Sequence, residues 1–164
     1  MTSVVMETAA KFRADPEAAR TAPAVTATLA DGRARLSAGA FSWEADLPPS
    51  LGGTNAAPSP TAYLLGALAG CGVTFLNDTL APEFGVAIHG ITAIARCRAD
   101  LGGLVGLEGV APDLTDLEIE IEVDTPDPES KTGPMLEAWQ RRCPIFLVLR
   151  NPNAVALRLT AGPM

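Results

Sequence analysis

The fold is decided by one stretch, Asp46-Leu47-Pro48-Pro49-Ser50-Leu51-Gly52-Gly53-Thr54-Asn55-Ala56-Ala57-Pro58-Ser59-Pro60, which continues as Thr61-Ala62-Tyr63-Leu64-Leu65-Gly66-Ala67-Leu68-Ala69-Gly70-Cys71. Serine is a residue type that caps the free N–H groups of a helix, and proline suits the first helical position. From Pro60 to Thr79 or Leu80, apolar side chains recur at helical spacing on nearly every face. The stretch therefore predicts a long core helix that starts at Pro60 and is ended by Pro82 and Gly85.

Antiparallel strands are predicted on both sides of this helix. The Asp31-Gly32 pair is a strong hairpin signal, and it lies between two of three short runs with strand character. After the helix, the run from Leu117 to Asp124 alternates between apolar and acidic residues, which is typical of a half-exposed strand. We expect Ile119, Ile121 and Val123 to be buried, and Glu118, Glu120 and Glu122 to face water. The strands predicted up to this point are Ala24–Leu29, Arg33–Leu36, Phe41–Leu47, Val86–Arg98 and Leu117–Asp124.

A second helix and two further strands are predicted near the C-terminus. The helix opens at Pro134 and stops before Pro144, because a residue that precedes proline is disfavoured in the helical region. The strands are Ile145–Arg150 and Val155–Thr160, joined by a turn at residues 151–153. The class is α+β, with residues 24–164 as one domain and residues 1–23 as an N-terminal extension that includes a short helix.

Composition and charge exclude several classes of function. The chain has 164 residues and a formal net charge of −7, which argues against a nucleic-acid partner because phosphates would be repelled. The most apolar window, Ala62 to Leu76, is too short to span a membrane, and the N-terminus lacks the order of a signal peptide. These features predict a cytoplasmic protein. Three cysteines in a reducing compartment are either inert buried thiols or a redox site.

The cysteines differ in their surroundings. Taken alone, Cys71 on an apolar helix face is best interpreted as a small buried hydrophobe, and Cys97 within a strand as structural. Cys143 lies at a helix end, after Arg141 and Arg142, which are able to lower a thiol pKa but are also ordinary solvated charges. With a single histidine, at position 89, no metal-ligand spacing occurs, and no cofactor-binding motif is present. We therefore expect no metal and no cofactor.

Two motifs together resemble the OsmC/Ohr family of osmotically inducible and organic hydroperoxide resistance proteins. The first is the Asp46–Cys71 stretch, with its Gly-Gly pair, its Pro-Ser-Pro helix start and its small-residue helix ending at a cysteine. The second is Cys143-Pro144-Ile145 followed by an apolar run. The resemblance implies an OsmC-like fold, in which antiparallel sheets pack on a long central helix within an intertwined homodimer. The glycines of the helix, at positions 66, 70 and 72, fit a close approach of two chains.

The resemblance also implies a chemistry. In the family, the first cysteine is oxidised by an organic hydroperoxide to a sulfenic acid, the second cysteine condenses with it to a disulfide, and a dithiol reductant restores both thiols. Here those residues are Cys71 and Cys143, so we expect the two to converge within disulfide reach.

Two residues that support catalysis in the family are replaced in this chain. Ala62 stands where the peroxidases have a glutamate, and Ala30 falls where they have an arginine, leaving Arg33 and Arg35 as the candidate replacements. Two hypotheses follow. The chain is a thiol peroxidase that acts on organic hydroperoxides, or it is an OsmC-fold protein that lacks efficient peroxidase activity and binds an apolar small molecule at the dimer interface.

Overall fold

A computed structural model describes residues 4–151 and 154–161, and one long helix runs through its centre. This central helix comprises α2 (Pro60–Thr74), a π-helical segment (Phe75–Leu80) and α3 (Ala81–Phe84). The predicted start is confirmed, because the Ser59 hydroxyl accepts the N–H of Ala62 at 3.2 Å and Pro60 opens the first turn. The predicted end was too early. Pro82 is tolerated in the first turn of the last segment, and the helix ends at Gly85, whose φ of +62° is left-handed.

Within the described ranges, Pro60–Phe84 is the one helix long and apolar enough to cross a membrane, a test that the core helix of a soluble protein also passes. It packs against the second sheet of the fold, as a core helix does. Its π-helical segment is marked by an i→i+5 hydrogen bond from the N–H of Ala81 to the carbonyl of Leu76. Such wide turns are rare and are found frequently at functional sites.

The three-stranded antiparallel meander predicted before the helix is confirmed. It consists of β1 (Thr26–Ala30), β2 (Arg33–Ala38) and β3 (Phe41–Ala45) in that order. Asp31 and Gly32 both have positive φ, at 51° and 77°, as a two-residue hairpin turn requires. One face of this sheet is apolar but open to solvent, with Leu29 84% and Phe41 77% exposed. The sheet is tied to the central helix by the Tyr63 hydroxyl, which donates to the carbonyl of Glu44 at 2.6 Å.

The loop between β3 and the central helix is organised by the buried carboxylate of Asp46. Its oxygens accept the N–H groups of Leu47, Thr54 and Ala56 at 2.8, 3.1 and 2.9 Å, and the Thr54 hydroxyl at 2.7 Å. These hydrogen bonds, the one from Ala56 foremost, lower the pKa of Asp46 to about 2. The loop thereby delivers Ser59 to the start of the helix in a fixed position.

This carboxylate makes the stability of the fold depend on pH in acid. A folded-state pKa near 2, below the ordinary value of 3.8, stabilises the fold above the unfolded pKa, and that stabilisation is lost as the pH falls towards 2. We expect urea midpoints measured between pH 6 and pH 2.5 to fall with pH, and to fall less in Asp46→Asn. A variant whose midpoints follow the wild-type curve would show that other groups control acid unfolding.

The second sheet packs against the central helix and forms the core with it. It pairs β4 (Gly90–Arg98) with β5 (Thr115–Asp124), and the short helix α4 (Leu101–Leu104) lies in the connection. The predicted alternation of β5 is confirmed: the glutamates are exposed, and the isoleucines and Val123 turn towards the helix. A Cβ at Gly72 would lie 3.2 Å from the Ile121 side chain, so this glycine lets the central helix approach β5 of the same chain. The close approach of two chains at Gly66, Gly70 and Gly72 stays a prediction. The buried core comprises Leu76, Leu80, Ala81, Val86, Met135, Ala138, Trp139 and Cys143.

The C-terminal part of the chain differs from the prediction. Helix α5 (Glu129–Arg142) begins before the predicted Pro134, which lies inside it. The predicted strand Ile145–Arg150 is wrong: residues Pro144–Arg150 form helix α6. Cys143 is extended, as a residue before proline should be, but proline is also well suited to the first helical position, so a new helix begins there.

The second predicted C-terminal strand, Val155–Thr160, was also wrong. These residues are assigned to no strand, and Val155, Leu157 and Leu159 are 88%, 76% and 84% exposed. The predicted turn before them includes Pro152 and Asn153, which lie outside the described residues. At the other end of the chain, helix α1 (Val4–Ala14) is followed by a 3₁₀ turn (Pro16–Ala19) that Asp15 caps.

Candidate functional site

The structure brings together the two cysteines of the sequence motifs. Cys71 lies on α2 and Cys143 at the junction of α5 and α6, and their Sγ atoms are 2.8 Å apart. Cys143 is fully buried, whereas Cys71 is partly exposed. This separation is within hydrogen-bond distance of two thiols, so a disulfide requires only a small further approach.

Cys143 is held by both helices that meet at it. Its N–H donates to the carbonyl of Trp139 at 2.8 Å and closes α5, while its Sγ accepts the N–H of Phe146 at 3.4 Å and caps α6. The residue is therefore the last cap of one helix and the first cap of the next. Its side chain has little freedom to turn away from Cys71.

The electrostatic setting disfavours a thiolate on Cys71. Burial, followed by the hydrogen bond and the charge interaction with Cys143, raises the pKa of the Cys71 thiol to about 12, and a hydrogen bond from the Ile145 N–H acts in the opposite direction. At neutral pH Cys71 is therefore predominantly the protonated thiol. Reaction as a nucleophile requires either a proton acceptor or an added source of positive potential.

The two candidate arginines lie on the N-terminal sheet and are already paired. Arg33 and Arg35 both contact the carboxylate of Glu44, at 3.0 and 3.6 Å. Within residues 4–151 and 154–161, no hydrogen bond or ion pair joins either arginine to Cys71 or Cys143. Arg33 instead lines an open cavity of about 430 Å³ beside the start of the central helix.

The arginines that precede Cys143 are also paired. Arg142 donates to both oxygens of Glu83, at 2.9 and 2.8 Å, and its guanidinium lies 5.7 Å from the centre of the Phe75 ring. Arg141 pairs with Glu137 one turn earlier on α5. Ala62, the residue that the sequence resemblance aligns with a glutamate, is exposed, and its N–H donates to the Ser59 cap.

One residue of the site was not found from the sequence. Trp139 donates its indole N–H to the carbonyl of Cys71 at 3.4 Å, and its ring packs on Phe146 with centroids 5.1 Å apart. The available signal was its spacing: Trp139 precedes Cys143 by one helical turn, so the two share a face of α5.

Two cavities are lined by residues that contact the cysteine pair. Two cavities of about 210 and 330 Å³ share Ile119 and Phe146 in their walls, and Leu68, one turn before Cys71, lines the smaller one. Trp139 lines the larger cavity. Both are therefore close to the thiols and suited to apolar groups.

The remaining candidates lie apart from this pair. Cys97 is half-buried in β4, at an irregularity in its pairing with β5, and the His89 N–H donates to the carbonyl of Asp124. Among the residues that the structure describes, no group of three or more His, Cys, Asp or Glu side chains is placed to hold a metal ion.

Comparisons with known proteins agree with this geometry. Residues 53–158 match the family described as OsmC-like protein. The chain therefore belongs to the OsmC-like family. A search of the curated proteins found no match.

Solved structures show the same fold at low sequence identity. An OsmC-like protein from Mycoplasma pneumoniae is similar with a TM-score of 0.66 and 20% identity, over 79% of this chain and 88% of that one. A putative osmotic stress induced and detoxification response protein from Psychrobacter arcticus has a TM-score of 0.59 and 20% identity, over 78% and 87%. An organic hydroperoxide resistance protein from Elizabethkingia anophelis has a TM-score of 0.57 and 18% identity, over 80% and 89%.

Proposed function

We propose that this protein is a thiol-dependent peroxidase that reduces organic hydroperoxides through a cycle of Cys71 and Cys143. The observation that carries the proposal is the 2.8 Å separation of the two Sγ atoms. A pair of alanine or valine side chains would fill the same space, so packing alone does not require two free thiols at this distance. Membership of the OsmC-like family, some of whose structural relatives are named as hydroperoxide resistance proteins, supports the same conclusion.

The cycle has three steps. The Cys71 thiolate attacks the outer oxygen of ROOH, the O–O bond breaks, and with one proton the products are a Cys71 sulfenic acid and the alcohol ROH. The Cys143 sulfur then attacks the Cys71 sulfur, forming the disulfide and releasing water. A dithiol reductant finally reduces the disulfide to two thiols and is itself oxidised to a disulfide.

Activation of Cys71 is the weak part of this cycle. Since burial raises its pKa to about 12, only a small fraction is ionised at neutral pH. The Ile145 N–H is the one group that opposes this shift. Arg33 or Arg35 would lower the pKa of Cys71 further by leaving Glu44 and pairing with the Cys71 thiolate, within the chain or across a dimer. The proposed function therefore includes slow turnover at neutral pH.

Intact mass spectrometry tests the proposal directly. The reduced protein is treated with one equivalent of cumene hydroperoxide, and we expect the mass to fall by two hydrogen atoms. Peptide mapping should then place the new disulfide between Cys71 and Cys143. A mass that stays unchanged at pH 7 and at pH 9 would refute the peroxidase assignment.

A second candidate function is the binding of an apolar small molecule without efficient peroxidase activity. The absence of the family glutamate at Ala62 and the engagement of both arginines by Glu44 favour it. The two cavities beside the thiol pair offer apolar space for such a molecule. Saturable binding of an apolar fluorescent probe by a protein that shows no thiol loss would favour this candidate.

We further propose that the working unit is a homodimer in which residues 24–164 form the OsmC-like unit. The argument is the apolar surface left uncovered: the N-terminal sheet exposes Leu29 and Phe41, and only 28% of the apolar window in the central helix is buried. Surface of this kind is covered in obligate interfaces of roughly 2,000 Å² or more. No nucleic acid, membrane or cofactor takes part in the proposed reaction, and its place is the cytoplasm.

The oligomeric state of the protein tests this proposal. Light scattering at micromolar concentration is expected to give twice the mass of one chain. Phe41→Asp places a charge on the exposed face of β3 and should shift the protein towards the monomer, whereas Ser42→Asp, on the opposite face of the same strand, should not. A wild-type monomer would contradict the proposal.

A further inference from the structure

Trp139 is hydrogen-bonded to the backbones of both cysteines. Its carbonyl accepts the N–H of Cys143 at 2.8 Å, and its indole N–H donates to the carbonyl of Cys71 at 3.4 Å. The side chain is buried, with 3% exposed. One residue thus joins the helix that carries the first thiol to the helix end that carries the second.

The same tryptophan also reaches the cap of the second cysteine. Its ring packs against Phe146 at a centroid distance of 5.1 Å and an interplanar angle of 44°. The N–H of Phe146 in turn donates to Cys143 Sγ. Trp139 and Phe146 therefore link the two cysteines: Trp139 is hydrogen-bonded to the backbone of Cys71, and Phe146 is hydrogen-bonded to the sulfur of Cys143.

From this arrangement we infer that Trp139 is a positioning residue for disulfide formation. The inference rests on the proposed function and names the step that the residue serves: Cys71–SOH and Cys143–SH react to give the disulfide and water. The attacking sulfur must meet the other at close range and in line with the departing oxygen, a requirement that pre-set geometry satisfies at low entropic cost. The hydrogen bonds of Trp139 in this site go to the backbones of the two cysteines, so it acts through those backbones.

A purely structural role predicts a different behaviour. A core tryptophan that only fills space changes the stability of the fold when it is altered, and leaves unchanged the partition of a sulfenic acid between closure and trapping. The positioning role predicts that loss of the indole N–H alone changes this partition. Trp139→Phe removes that N–H and retains an aromatic ring, and Trp43→Phe is the matched control, since Trp43 lies on β3 of the other sheet.

The first measurement is a competition in a Cys97→Ser background. Reduced protein receives one equivalent of cumene hydroperoxide in the presence of dimedone, which captures sulfenic acids, and the adduct and disulfide are counted by mass. We expect Trp139→Phe to raise the adduct-to-disulfide ratio roughly threefold to tenfold, the change that one hydrogen bond produces in an equilibrium or rate. Trp43→Phe should leave the ratio as in the parent. A Trp139→Phe ratio within twofold of the parent overturns the inference.

The second measurement is independent of peroxide chemistry. The protein is equilibrated with glutathione and its disulfide, and the constant for Cys71–S–S–Cys143 + 2 GSH ⇌ dithiol + GSSG is measured. We expect Trp139→Phe to raise this equilibrium constant by a similar factor. An unchanged constant would overturn the inference, even if the wild type fails to react with hydroperoxide. Should the phenylalanine variant not fold, 3-benzothienylalanine at position 139 replaces the N–H by sulfur within the same ring shape, and the same two outcomes apply.

Discussion

Cys71→Ser is expected to abolish peroxide-dependent thiol loss, whereas Cys143→Ser should retain one round of oxidation per chain. The difference follows from the site: Cys71 is the partly exposed sulfur that a peroxide can reach, and Cys143 is fully buried behind it. Without Cys71 no sulfenic acid forms. Without Cys143 a sulfenic acid forms on Cys71 but has no thiol with which to condense, so turnover with a dithiol reductant should fall by at least about a hundredfold, in the range typical of losing a covalent catalytic group.

The pH dependence adds a second expectation to the same experiment. Because the pKa of Cys71 is raised to about 12, the thiolate fraction should rise about tenfold for each pH unit between 7 and 10, and the rate of the first oxidation with it. Stopped-flow measurement of that rate in Cys143→Ser provides the test. This variant loses the hydrogen bond and the charge interaction with the Cys143 thiol but keeps burial, the largest cause of the raised pKa. Cys97→Ser is the control and should behave as wild type. Turnover that survives in Cys71→Ser would contradict the assignment of the peroxidatic thiol.

Gly53→Ala is expected to destabilise the fold by about 3 kcal/mol or more, at the top of the range for overpacking. A Cβ at this position would collide with the carbonyl oxygen of Leu47 and would lie 2.5 Å from its carbonyl carbon and 2.7 Å from Asp46 Oδ1. Two of these atoms belong to the backbone and the third to the carboxylate that organises the loop, so none is able to move without breaking hydrogen bonds.

A glycine in open surroundings is the matched control for this substitution. A Cβ at Gly133, inside α5, meets no atom within 4 Å apart from its chain neighbours and the backbone of its own helix. The helix-propensity gain of about 1 kcal/mol from Gly133→Ala is opposed by the clash of a Cβ with the ring of the following Pro134, so this variant should keep a urea midpoint close to that of the wild type. Urea denaturation of the three proteins measures both effects. Equal urea midpoints for Gly53→Ala and the wild type would contradict this prediction and show that the loop between β3 and the central helix accommodates a Cβ at this position.

The parts of the fold that were predictable from the sequence are those with local signals. Ser59 and Pro60 define a helix start by capping, Asp31-Gly32 defines a hairpin, and the alternation of β5 defines its two faces, and all three are found. The helix end was missed by a few residues, because Pro82 falls in a first turn that follows a π-helical segment.

The C-terminal segment was mispredicted because its pattern is ambiguous. Ile145-Phe146-Leu147-Val148-Leu149 is a short apolar run, and such a run suits a buried strand and a buried helix equally. In the structure it is a helix, capped by Cys143 and packed through Phe146 against Trp139. These contacts are close in sequence, but hydrophobic periodicity alone does not reveal them. The cysteine pair was found through its two motifs, but Trp139 was not, since one of its hydrogen bonds reaches a residue on another helix.

Burial of Cys143 also bears on how the protein withstands excess oxidant. A sulfenic acid on Cys71 has a thiol beside it before a second peroxide molecule arrives, and pre-aligned groups react as though their partner were present at on the order of 10⁵ M or more. Condensation should therefore outrun further oxidation to sulfinic acid, the irreversible form, at any peroxide concentration that a cell tolerates. Under the proposed cycle, few chains would therefore be lost to irreversible oxidation by the hydroperoxide, and the supply of dithiol reductant would limit the number of turnovers.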